Sequence, residues 1–180
     1  MIQQEQIEIP LSKKKLFLIL FGAIGFVLIG LWFLINPPIS SNQIFGLSSI
    51  YSIVGFISVL FFGLGAVVIF SKISDKKAGI IINSQGIIDN SSGVSAGLVS
   101  WKDIQEIKVA QVMNQKFLML IVKNPQDYLA RVTNTIKRKG MEINYKTYGS
   151  PISISASSLK INFDELHNLL VDKMKEYKSF

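Results

Sequence analysis

The sequence predicts a membrane α-helical hairpin followed by one α+β domain, and three features carry that prediction. Leu16–Ile35 and Ile50–Phe70 are apolar runs without a single charge. Each is about 20 residues long, the length at which an α-helix crosses a hydrocarbon core of roughly 30 Å. Lysines stand at both outer ends of this pair, and the segment between the runs carries no charge. After Phe70 continuous apolarity gives way to short β-like runs interleaved with helix signals.

The 180 residues are 49% hydrophobic with a mean hydropathy of +0.39, an excess concentrated in the first seventy positions. The remainder of the chain after Phe70, about 110 residues, suffices for one domain with its own core. The absence of cysteine excludes disulfide frameworks, thiolate metal sites and cysteine nucleophiles. A net charge of +7 fits attraction to an anionic leaflet. Nucleic-acid binding would call for cations interleaved with exposed aromatics on one face, a pattern the sequence lacks.

Taken in order, Met1–Ser12 is polar and reads as a mobile tail. Lys13, Lys14 and Lys15 stand directly before the first run. That run exceeds a signal-peptide core and has no small-x-small cleavage site after it, so it is read as a retained helix. Asn36-Pro37-Pro38 ends it, because proline supplies no backbone donor. Lys72, Lys76 and Lys77 come after the second run, opposed only by Asp75. Cations at both outer ends predict cytoplasmic termini and an external loop. The divisions are a tail over 1–15, spans over 16–35 and 50–70, an external loop over 36–49, a linker over 71–78 and a domain over 79–180. Neither span holds an ionisable group, so neither reads as an ion or proton path. Ser52, Gly55, Ser58, Gly63 and Ala66 share one face of the second span, and Gly22, Gly25 and Gly30 share one of the first. Small residues allow close approach, so these faces are expected to meet, with homodimerisation as a further use.

In the domain, Ile80-Ile81-Ile82, Asn83-Ser84-Gln85-Gly86 and Ile87-Ile88 read as a β-hairpin. Leu98–Trp101 and Ile104–Val112 are expected strands, and Phe117–Val122 is a strand apolar on both faces. Asn124-Pro125 opens a helix, with Tyr128, Leu129, Val132 and Ile136 as its stripe. Its expected last turn holds Lys137, Arg138 and Lys139, and Gly140 its expected C-terminal stop. Ile152–Ser155 alternates as a half-buried strand. Asn162-Phe163-Asp164-Glu165 opens the terminal helix with a capping box.

The short strands, the Val99-Ser100-Trp101-Lys102-Asp103-Ile104 step and the capped terminal helix resemble a bacterial PH-like domain. The whole chain resembles bacterial membrane proteins in which two transmembrane helices precede such a domain. The resemblance implies a bent, partly open β-barrel capped by the C-terminal helix. It also implies a module that binds lipid headgroups, peptides or proteins without catalysis or cofactor. It transfers no site residues, and Asn124–Ser150 departs from it as an insertion between strands.

Gly93-Val94-Ser95-Ala96-Gly97 matches the nucleophile-elbow pattern, and Asp164 and His167 come after it in hydrolase order. A polar loop precedes the motif and strand residues succeed it, where an elbow requires strand and then helix, so a flexible glycine loop is the expectation. His167, the only histidine, reads as a surface residue, with no carboxylate spacing to make a metal site around it. Two basic groups remain as candidates. Lys13, Lys14, Lys15, Lys72, Lys76 and Lys77 belong at the membrane surface, and Arg131, Lys137, Arg138 and Lys139 form a candidate headgroup or partner contact. The expected function is a non-catalytic module tethered at the inner face of a bacterial plasma membrane. An accessory subunit of a larger membrane complex is the alternative, and an enzyme the weaker competitor.

Overall fold

The computed structural model describes residues 6–37 and 47–178, with side chains from 50 onward in the second stretch. Most of the expected external loop lies outside the described residues. The chain divides into two compact units, one drawn from Met1–Ser12 with Lys76–Phe180 and the other from Lys13–Asp75.

The second unit is an antiparallel pair of helices, α1 (Lys13–Ile35) and α2 (Leu47–Ser74). Both contain a stretch long and apolar enough to cross a membrane. Each helix extends beyond its apolar run, α1 back into its lysines and α2 at both ends. Gly30 and Gly55 face each other where the helices cross, and a Cβ added at Gly55 would lie 2.7 Å from the Gly30 carbonyl. Around this crossing Phe26 stacks on Phe62 at 4.4 Å, and the Ser58 hydroxyl donates to the Phe26 carbonyl at 3.1 Å. The small-residue faces therefore meet only in part. Added Cβ atoms at Gly22, Gly25 and Gly63 would enter open space. Large side chains such as Leu18, Phe21, Phe61 and Val67 cover the outside of the pair.

The first unit begins before the hairpin. Ile7-Glu8-Ile9, within the segment expected to be a mobile tail, is strand β1. It pairs antiparallel with β2 (Ile80–Asn83), Ile7 opposite Ile82 and Ile9 opposite Ile80. Pairing continues past Pro10. The Ser12 amide donates to the Ser158 carbonyl at 2.7 Å, and the Lys160 amide to the Pro10 carbonyl at 3.0 Å. Two isoleucines alternating with one glutamate are too short a pattern to predict a strand. The partner that completes it lies beyond the whole hairpin.

A four-stranded antiparallel meander is built in the order β1, β2, β3 (Gly86–Asp89) and β4 (Gly97–Ser100). Gly86, at φ +159°, is required because a Cβ there would strike the Val99 carbonyl of β4. A second, three-stranded meander holds β5 (Ile104–Val112), β6 (Gln115–Val122) and, after the helical segment, β7 (Ser153–Ile154). A register shift between Ile104 and Glu106 explains the imperfect alternation of β5. The two sheets remain separate and do not close into a barrel.

The terminal helix is the Phe163–Lys178 segment. Its capping box forms as expected, the Glu165 amide donating to Asn162 Oδ1 at 2.9 Å and the Asn162 amide reaching Glu165 Oε2 at 3.5 Å. Leu166 and Leu170 are buried, and Tyr177 stacks on Trp101 at 5.5 Å. The Trp101 indole donates in turn to the Asn83 carbonyl at 2.7 Å, tying the helix to the first meander.

The single helix expected from Asn124 is two helices, α3 (Pro125–Ala130) and α4 (Thr135–Tyr148); the terminal helix is α5. Asn134 caps α4, its side chain accepting from the Lys137 amide at 3.0 Å. Gly149, at φ +78°, ends it in the left-handed conformation. Gly140 therefore lies inside the helix, and Lys137–Lys139 open α4 where the sequence placed them at a helix end. β-Branched Val132 and Thr133 precede a strong N-cap residue, and that local preference overrides the continuing apolar stripe.

Ile9 is 5% exposed, and replacing it by alanine should cost about 2–5 kcal/mol. A fragment beginning at Lys76 should melt well below the same fragment carrying residues 6–12 through a Gly/Ser linker. Denaturant titration of both fragments checks this. In the hairpin, Gly55→Val should lower the thermal midpoint in detergent, whereas Gly25→Val should leave it within a few degrees of the parent, because only Gly55 abuts the opposing backbone.

Candidate functional site

The segment between β6 and β7 carries the most chemistry in the first unit, and its position is fixed from below by Tyr128. Pro125 starts α3 and the Asn124 side chain donates to Asp127 Oδ2 at 3.0 Å. One turn on, the buried Tyr128 donates its hydroxyl to Asp103 Oδ2 at 2.8 Å and accepts from the Ser100 amide at 3.3 Å. Burial, reinforced by the Asp103 carboxylate, pushes the Tyr128 hydroxyl up from 10.0 to about 12. Lys123 lies 3.8 Å from the other Asp103 oxygen. α3 is thereby pinned to the β4–β5 corner.

The four basic candidates do not form one patch. Arg131 lies over the Tyr128 ring, 4.6 Å from its centroid, and serves the packing of α3. Lys137 is half-buried in the first turn of α4, on the arc that carries buried Met141. Arg138 and Lys139 line an open groove of about 530 Å³ between α3 and α4, together with Ala130, Val132, Thr133, Thr135 and Glu142. Arg138 is held in place by Glu142 at 3.1 Å. The groove thus combines two cations, one of them paired with the Glu142 carboxylate that also lines it, with two hydroxyls and an apolar wall. Cations in a first turn oppose the helix dipole, each at a cost of about 0.3–1 kcal/mol. The placement therefore does not serve helix stability, the role expected of these residues at a helix end. The threonines and Glu142 give no sequence signal, because they come together only through the break before Asn134.

The other basic group sits at the hairpin's ends. Lys13, Lys14 and Lys15 are exposed in the first turn of α1. Lys72 lies in the last turn of α2, 4.0 Å from Asp75, and Lys76 and Lys77 are exposed just beyond. In the antiparallel pair, Lys13–Lys15 and Lys72 therefore lie at the same end.

The residues in hydrolase order are engaged elsewhere. Asp164 pairs with Lys116 at 3.8 Å, and His167 lies over the Phe163 ring at 6.3 Å. Ser95 is buried in a loop with no strand-to-helix turn. Among the described residues no group of three or more His, Asp or Glu side chains is placed to hold a metal ion.

Compared with protein families, curated proteins and solved structures, the chain matches none of them.

Tyr128→Phe removes a hydrogen bond to a carboxylate, worth roughly 1.5–3 kcal/mol. Its effect on pH dependence has a definite sign. Folding raises the hydroxyl from 10.0 to about 12, so the folded state keeps a proton that the unfolded chain gives up. That contribution is complete below pH 10 and is lost as pH rises toward 12. The parent should therefore lose stability across this window more steeply than Tyr128→Phe, as measured by urea unfolding at successive pH values.

Proposed function

We propose that this chain is an integral membrane protein whose hairpin tethers a non-catalytic, PH-like binding module at the cytoplasmic face of a bacterial plasma membrane. The observation that carries the reading is the pairing of β1 with β2. These strands flank the hairpin in sequence yet belong to one sheet, so both ends of the hairpin enter the same folded domain. A membrane-crossing pair of helices then has both ends on one side, and the lysines at those ends select the cytoplasmic side. Two antiparallel meanders ending in a capped helix support the PH-like reading, with the hairpin inserted after the first strand and α3–α4 before the last. The connections are short. Three residues separate β1 from α1, and five separate α2 from β2. The module is therefore held at the bilayer, where its groove would engage an anionic lipid, a peptide or a protein.

A second reading has its own observation. Gly22, Gly25, Gly63 and Gly65 have open space at their Cβ positions, room for a helix of another membrane protein. On that reading the chain is an accessory subunit. A stoichiometric partner in mild detergent, lost in Gly22→Leu/Gly25→Leu, would favour it.

The chain has no cysteine, so single introduced cysteines report topology without background. In intact cells, cysteines at Gln6 and Asn168 should resist a membrane-impermeant maleimide until permeabilisation, and one at Ser41 should react at once. Reaction at Gln6 without permeabilisation would overturn the cytoplasmic assignment. Opposite behaviour at Gln6 and Asn168 would overturn the shared domain.

A further inference from the structure

We infer that the outward face of α4 is a docking surface for an anionic lipid bilayer, which deepens the tethered-module reading and rests on it. The inward face is set by Met141, which is fully buried, and by Asn144, whose side chain donates to the Ser153 hydroxyl at 3.0 Å. Gly140 lets this side of α4 sit close to Val94, where a Cβ would come within 3.1 Å. The opposite side carries Ile136 and Ile143, 84% and 62% exposed and one heptad apart. Lys139 and Lys146, both exposed, stand three residues after each isoleucine. At 3.6 residues per turn these four side chains fall within about 100° of helix circumference.

An exposed isoleucine on its own calls for no explanation. Two on one helix face, each trailed one turn later by a lysine, make the pattern of a helix lying in the membrane interface. There the apolar side chains enter the acyl boundary and the ammonium groups meet lipid phosphates. Charge selects the leaflet, because Lys139 and Lys146 stand on the outward face while Arg138 and Glu142 beside them pair with each other. An anionic surface also supplies what the first turn of this helix lacks, negative charge near cations that the dipole disfavours. The connections that hold the domain at the bilayer keep the encounter local, so a weak affinity per side chain is enough.

The test uses the full chain in nanodiscs of phosphatidylcholine alone and of phosphatidylcholine with phosphatidylglycerol at about seven to three. A bimane on Thr147→Cys, which adjoins Ile143 on the outward face, is read against lipid carrying a nitroxide near the headgroup. Quenching should be at least about twofold stronger with the anionic lipid. It should fall to the zwitterionic level in Ile136→Ser/Ile143→Ser and in Lys139→Glu/Lys146→Glu, whose exposed positions leave the fold intact by circular dichroism. Quenching that ignores the anionic lipid, or persists in both variants, overturns the inference. So does lipid-independent self-quenching between labelled chains, which would assign the face to a second copy. These outcomes leave the maleimide pattern untouched, so failure of the docking face and failure of the tethered-module reading are separable.

Discussion

The pairing of Ile7–Ile9 with Ile80–Ile82 is the constraint on which the rest of the structure depends. It makes the hairpin an insertion within a domain rather than an anchor placed before one. Without it, β2 would be an edge strand with buried isoleucines beside an open flank, and edges of that kind invite intermolecular pairing. With it, Ile9 and Leu11 complete the core, and the chain from Pro10 to Ser12 bonds to the residues just before α5. The N-terminal segment thus touches both the start of the first sheet and the approach to the terminal helix. The strand that completes the first sheet is also the segment that leads into the apolar hairpin.

Legibility in the sequence tracks the range of the interaction responsible. The two apolar helices are legible because about twenty uncharged residues in a row favour one long helix over any shorter element. The α5 capping box is legible because its donors and acceptors lie three residues apart, and the Ile80–Ile88 hairpin because its turn is local. β1 is not, since Ile7-Glu8-Ile9 acquires meaning only from a partner about seventy positions later. The α3–α4 break is hidden by Ile136, which extends the apolar stripe in sequence yet faces solvent. That misplacement carries Lys137, Arg138 and Lys139 with it, from a stabilising helix end to an opposing helix start. The groove residues Thr133, Thr135 and Glu142 cannot be found before the break is known. The small-residue faces are legible in kind, but only contacts such as Gly30 with Gly55 show which glycines the hairpin itself uses.

One chain completes its own sheet across the hairpin, and a disulfide tests this pairing most directly. Glu8 and Ile81 are cross-strand partners. Antiparallel partners place their Cα atoms about 4.5–5.5 Å apart, within disulfide reach. In a chain free of native cysteine, Glu8→Cys/Ile81→Cys should oxidise in the membrane to one intramolecular bond. After protease cleavage at a site engineered near Ser41, the two halves should run together without reductant and apart with it. Halves that separate without reductant, or bonds found only between different chains, would contradict the account.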